Sequence, residues 1–135
     1  MTVAALHHYT IRCTAAEVDG LADFYTRVLG LVVGPRPELP LAGAWLYAGN
    51  EPIVHLYANA ELAGVSPETS TGALDHIAFR SANLAAMRAH LRSQRVHFSE
   101  APLPGLPLHQ LFIQDPKGLK IELTFWLDNE PPGSV

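Results

Sequence analysis

The sequence predicts an α+β domain built from two copies of one βαβββ module. Three observations carry this expectation. The order strand, helix, strand, strand, strand can be read twice along the 135 residues, over about residues 6–58 and again over about 73–126. Each copy opens on a strand in which a histidine is followed four residues later by an arginine, His8 with Arg12 and His76 with Arg80. The fourth strands carry a second pair in step, because His55 lies 47 residues after His8 and Glu122 lies 46 after His76. Matched spacing of this kind is the mark of an internal duplication.

In the first copy, His7 to Cys13 reads as a strand. Thr14 with Glu17 three residues on has the spacing of a capping box, which opens a helix. Leu21, Phe24, Tyr25, Val28 and Leu29 recur at intervals of three and four, the stripe of an amphipathic helix. Gly30 stands where a helix ends in the left-handed conformation. Leu31 to Gly34 reads as a short strand, and Pro35, Pro37 and Pro40 impose a loop. Ala44 to Ala48 and Ile53 to Tyr57 are the third and fourth strands, joined by a turn at Gly49 to Pro52. Residues 59–72 hold Gly64, Ser66, Pro67, Thr69, Ser70 and Thr71 without a sustained period, and read as the linker.

The second copy opens on Leu74 to Arg80. Asn83 caps a helix with apolar positions Leu84, Met87 and Leu91. Val96 to Ser99 reads as short and extended, Pro102 to Pro107 as a proline-broken loop, and Leu108 to Gln114 as a strand. Asp115, Pro116 and Gly118 stand at the first, second and fourth corners of a type I turn. The last strand then alternates. Leu119, Ile121, Leu123 and Phe125 share one face; Lys120, Glu122, Thr124 and Trp126 share the other. Glu122 thus sits mid-strand, where a carboxylate faces either water or a group that compensates its charge.

Composition narrows the function. The chain is 48% hydrophobic and 16% charged, which excludes a disordered polymer. A net charge of −4 with nine basic residues argues against nucleic acid as a partner. Cys13 is the only cysteine, so no disulfide can form within the chain. No signal pattern or run of about 18 apolar residues is present, and a soluble, cytoplasmic protein with no membrane partner is expected.

Seven histidines are the compositional oddity. His8, His55, His76 and Glu122 fall at equivalent points of the two copies. Imidazole and carboxylate are the nitrogen and oxygen ligands of zinc, nickel, iron, manganese and cobalt, so the four are candidate ligands of a divalent metal ion. Arg12 and Arg80 share the strand face of these residues and are candidates for gripping an anionic substrate tail or for rim ion pairs. Trp45, Tyr47, Tyr57 and Trp126 are candidate pocket walls or packing residues. His109 could reach the same face, and His7 should point away from it. Cys13 reads as a buried structural thiol.

These residues bring a family into view. Leu6 to Arg12, the helix end Phe24 to Leu31, the strand Leu74 to Phe79, and Asp115-Pro116 through Leu123 resemble the vicinal oxygen chelate superfamily, which includes glyoxalase I, extradiol dioxygenases and bleomycin-resistance proteins. The helix end and last strand look most like the glyoxalase I branch. The resemblance implies that each module curls into a half-barrel forming a cup. It also places His8, His55, His76 and Glu122 in the four metal-ligand positions, and implies a homodimer with the site at the subunit interface. It implies a metal-dependent isomerase, epimerase or lyase acting on a small vicinally oxygenated substrate, with Glu122 as the base. One departure is clear: the glyoxalase I position matching His55 carries glutamate or glutamine. Two alternatives stay open. A single-domain Fe(II) extradiol dioxygenase would use His8, His76 and Glu122 as its triad, with His55 or His109 relaying protons. A drug-binding resistance protein would need no ligands, and the retained histidines and glutamate argue against it.

Overall fold

The structure is a computed structural model describing residues 5–58, 74, 76–133 and 135. The chain divides into two compact units, Met1–Val65 and Ser66–Val135. The expected linker at residues 59–72 lies outside the described residues. No helix among the described residues is long and apolar enough to cross a membrane.

In the first unit, β1 (Tyr9–Cys13), α1 (Val18–Arg27), β2 (Val32–Gly34), β3 (Gly43–Ala48) and β4 (Glu51–Ala58) follow in order. The strands form one sheet in the order β1-β4-β3-β2, with β1 parallel to β4 and the other pairs antiparallel. The first strand begins two residues later than expected, so His7 and His8 precede it. The Thr14 N–H donates to the Glu17 carboxylate at 2.8 Å, closing the anticipated return bond of the capping box around a short 3₁₀ turn ahead of α1. The helix ends as its glycine foretells. Gly30 has φ 71°, its N–H donates to the Thr26 carbonyl at 3.0 Å, and the Leu31 N–H reaches the Tyr25 carbonyl at 3.1 Å. Val18, Leu21, Phe24 and Tyr25 of α1 are buried, as are Ile11, Cys13, Leu46, Val54 and Leu56 on one sheet face. Alternation leaves Thr10, Arg12, Trp45, His55 and Tyr57 on the other face.

The second unit repeats the plan with β5 (His76–Ser81), α2 (Leu84–Ser93), β6 (Ser99–Leu103), β7 (Leu108–Gln114) and β8 (Lys120–Trp126). Its sheet order, β5-β8-β7-β6, again makes the first and fourth strands parallel neighbours. The Asn83 side chain accepts from the Ala86 N–H at 3.0 Å and caps α2. One expectation fails. The strand before the loop is Ser99–Leu103, not Val96–Ser99, and it includes Pro102. Proline lacks the N–H that an interior strand needs, but β6 is an edge strand with one side of its backbone unpaired. The Asp115 turn forms as read. The Gly118 N–H donates to the Asp115 carbonyl at 2.9 Å, and the buried Asp115 carboxylate accepts from the N–H groups of Lys117 and Leu119 at 2.8 and 2.9 Å. Leu111, Ile113, Ile121, Leu123 and Phe125 form the buried face of this sheet.

The two sheets share a register as well as an order. Thr10, two residues after His8, stands opposite His55, and Ala78, two residues after His76, stands opposite Glu122. His76 at the start of β5, and His8 just ahead of β1, thus each precede by two residues the position opposite their fourth-strand counterpart.

Candidate functional site

That register brings each pair together. In the second unit the His76 Nε2 lies 3.0 Å from the Glu122 Oε2. Glu122 is only 7% exposed, so its charge cannot be left to water. Its other oxygen, Oε1, accepts from the Gln110 side-chain amide at 2.8 Å and from the Thr124 hydroxyl at 2.6 Å. One carboxylate oxygen is thus pinned by two neutral donors, and the second is aimed at imidazole. Gln110 and Thr124 are opposite each other on β7 and β8, on the face of Glu122. Sequence reasoning passed over both. The available signal was the pair Gln110 and Gln114 flanking Phe112 on one face of β7.

In the first unit, the His8 and His55 rings stack with centroids 3.9 Å apart and planes 14° apart. Trp45, opposite His55 on β3, stacks on the other side at 4.1 Å and 7°. His55 is therefore held between two flat rings. Its Nε2–H donates to the Pro52 carbonyl at 3.0 Å, which leaves Nδ1 with the lone pair. Burial, and then the neighbouring His8, hold the His55 imidazole below its ordinary pKa; the Pro52 bond opposes them, and His7 adds to the lowering. The net lowering favours neutral His55, the form that binds metals or accepts a proton. His7 does not stand clear of the group, as its place in the sequence suggests. Its Nδ1 lies 2.7 Å from the Nδ1 of His8, because both residues precede β1 and escape strict alternation.

His109 is the other correction. It pairs with Phe125 on β8, on the opposite face of the sheet from Glu122. Its Nε2–H donates to the Glu100 carboxylate at 2.7 Å, which is also bound by Arg88 of α2. A proton relay from His109 to Glu122 would have to pass through the sheet. Arg12 and Arg80 are exposed and stand opposite Tyr57 and Thr124, on the faces of His55 and Glu122 respectively.

The spacing of His76 and Glu122 suits a divalent ion. Two ligands about 2.0–2.2 Å from one metal and bound at adjacent positions lie roughly 3.0–3.5 Å apart. The His76–Glu122 separation of 3.0 Å falls at that spacing. The Pro52 carbonyl on His55, and Gln110 and Thr124 on Glu122, are outer hydrogen bonds of the kind that orient ligands. Among the described residues no three or more His, Cys, Asp or Glu side chains are grouped to hold a metal.

Comparison with known proteins agrees with this architecture. The family model described as the glyoxalase/bleomycin resistance protein/dioxygenase superfamily matches residues 5–123. A relative named Glyoxylase I 4, from Arabidopsis thaliana, is 30% identical over 125 residues, spanning 90% of this chain and 70% of the relative. Among solved structures, a Bacillus anthracis protein assigned to the glyoxalase family superposes with a TM-score of 0.73 at 19% identity, covering 93% of this chain and 97% of that one. The trypanothione-dependent glyoxalase I of Leishmania major gives 0.68 at 25% identity, covering 90% and 86%. The two four-stranded sheets, their shared strand order and the match along nearly the whole chain lead to one conclusion: this protein belongs to the glyoxalase/bleomycin resistance protein/dioxygenase superfamily.

Proposed function

We propose that the protein is a metal-dependent, glyoxalase-like enzyme performing isomerase, epimerase or lyase chemistry on a small vicinally oxygenated substrate. The observation that carries this reading is Glu122, a buried mid-strand carboxylate with one oxygen pinned by Gln110 and Thr124 and the other 3.0 Å from His76. A solvated surface glutamate needs no such arrangement. His8, His55, His76 and Glu122 would hold a divalent ion of nickel, zinc, cobalt, manganese or iron, the pairs being contributed by two subunits of a homodimer. When bound, the ion would act as a Lewis acid on adjacent substrate oxygens. Glu122 would loosen from the ion, take a proton from substrate carbon through the Oε2 so freed, and return it to the neighbouring carbon. Gln110 and Thr124 would keep Oε1 out of that exchange and hold the carboxylate plane fixed.

A second reading is supported by the ring stack. His55 is oriented by Trp45, His8 and the Pro52 carbonyl, with Nδ1 left unprotonated. It could serve as an acid/base beside a His8, His76 and Glu122 triad of Fe(II), as in an extradiol dioxygenase. Metal analysis of protein purified without chelator, with oxygen uptake measured on catechols, separates the two. Nickel, zinc, cobalt or manganese without oxygen uptake supports the first reading. Iron with oxygen uptake supports the second. A site that stays empty through metal titration overturns both and favours a drug-binding protein in the cytoplasm.

A further inference from the structure

Arg80 lies two residues past Ala78, on the Glu122 face of the second sheet and opposite Thr124. It is exposed, and among the described residues its guanidinium has no hydrogen-bond or ion-pair partner. Beside it is a cavity of about 330 Å³ lined by Arg80, Ser81, Ala82, Trp126, Asn129 and Glu130. At about 30 Å³ per liquid water, the space admits roughly ten non-hydrogen atoms. Its walls are a cation without a partner among the described residues, an indole and one carboxylate. The carboxylate already has work: the two oxygens of Glu130 accept from the N–H groups of Asn83 and Leu84, each at 3.0 Å, at the start of α2.

We propose that this cavity is a binding subsite for a compact monocarboxylate with an aromatic or apolar body. A guanidinium fork matches a carboxylate through two parallel hydrogen bonds, and the indole of Trp126 offers an apolar wall for the rest of the molecule. Glu130 sets the charge limit. Its negative charge on the same wall disfavours a doubly charged phosphate, while a single carboxylate can be balanced by Arg80. The subsite lies wholly within the second unit and needs no metal. If the metal-site reading also holds, this acid is the substrate's tail, since Arg80 lies one two-residue step, about 7 Å, along the strands from the level of Glu122.

The test is a ligand-observed NMR titration of the full chain in chelator, with benzoate, benzamide and phenyl phosphate as probes. Benzoate should bind at least about tenfold more tightly than either of the others, as expected for a charge-assisted pair. Arg80→Gln should lose about tenfold or more of benzoate affinity, and Arg80→Lys should retain part of it. Circular dichroism melting would verify that both variants fold. Glu122→Gln should bind benzoate as the parent does. Equal binding of benzoate and benzamide, unchanged affinity in Arg80→Gln, or loss of benzoate in Glu122→Gln would each overturn the assignment. The metal reading is tested apart, by metal titration of the same variants: Arg80→Gln should bind metal normally, and a chain that binds benzoate but no metal would retain the subsite and lose the metal centre.

Discussion

Glu122 is held by three neighbours with different roles. His76 lies 3.0 Å from one oxygen, while Gln110 and Thr124 satisfy the other and fix the plane. Replacing Glu122 with Gln should abolish turnover, because an amide can neither accept the substrate proton nor match a carboxylate as a ligand; a steady-state assay on the substrate found by screening checks it. Gln110→Ala and Thr124→Val leave the proposed ligands in place but release Oε1. Each should weaken metal affinity by about 10–100-fold, measured by competition with a chromophoric chelator. For His55 the outcome discriminates. If His55→Ala loses metal, the residue is a ligand; if it keeps full metal and loses rate, it moves protons.

Among the elements, α2 and the edge of the second sheet are tied by Arg88, Glu100 and His109. Arg88 contacts the Glu100 carboxylate at 2.7 Å and His109 contacts it at 2.7 Å. The Arg88 hydrogen bond holds the Glu100 carboxyl below its ordinary pKa; burial opposes it, and the His109 hydrogen bond adds to the lowering. A carboxylate with a depressed folded pKa stabilises the fold fully above its unfolded pKa and loses that contribution as pH falls through the folded value. Glu100→Gln should therefore lower the melting temperature near neutral pH, and the gap from the parent should close as pH falls below the usual carboxylate range. Because Glu100 is one-third exposed, the gap should also shrink in high salt. The same cluster explains why His109 is absent from the Glu122 face: one residue along β7 reverses the side of the sheet.

For the assembled protein, the metal reading has a thermodynamic consequence. An ion that binds only the folded form adds about 2.7 kcal/mol of stability at a free concentration 100 times its dissociation constant. The melting temperature should rise with added metal and fall on chelation. If two subunits supply the ligands, metal should also shift sedimentation from monomer toward dimer. A melting temperature indifferent to every divalent ion tried would remove the metal centre.

Much of this was legible along the chain because it depends on local rules. Alternation assigned the faces of β8, Gly30 and Asp115 marked a helix end and a turn, and repeated spacing anticipated the repeated strand order. His8 with His55, and His76 with Glu122, could be matched because a parallel pairing preserved in both halves preserves their offset. What spacing could not convey was contact across strands. The Trp45–His55–His8 stack, the two donors on Glu122 and the capture of His109 by Glu100 join residues whose neighbourhood depends on strand pairing and side-chain direction. Those are settled only when the sheets form, because hydrogen-bond register sets which side chains lie within reach.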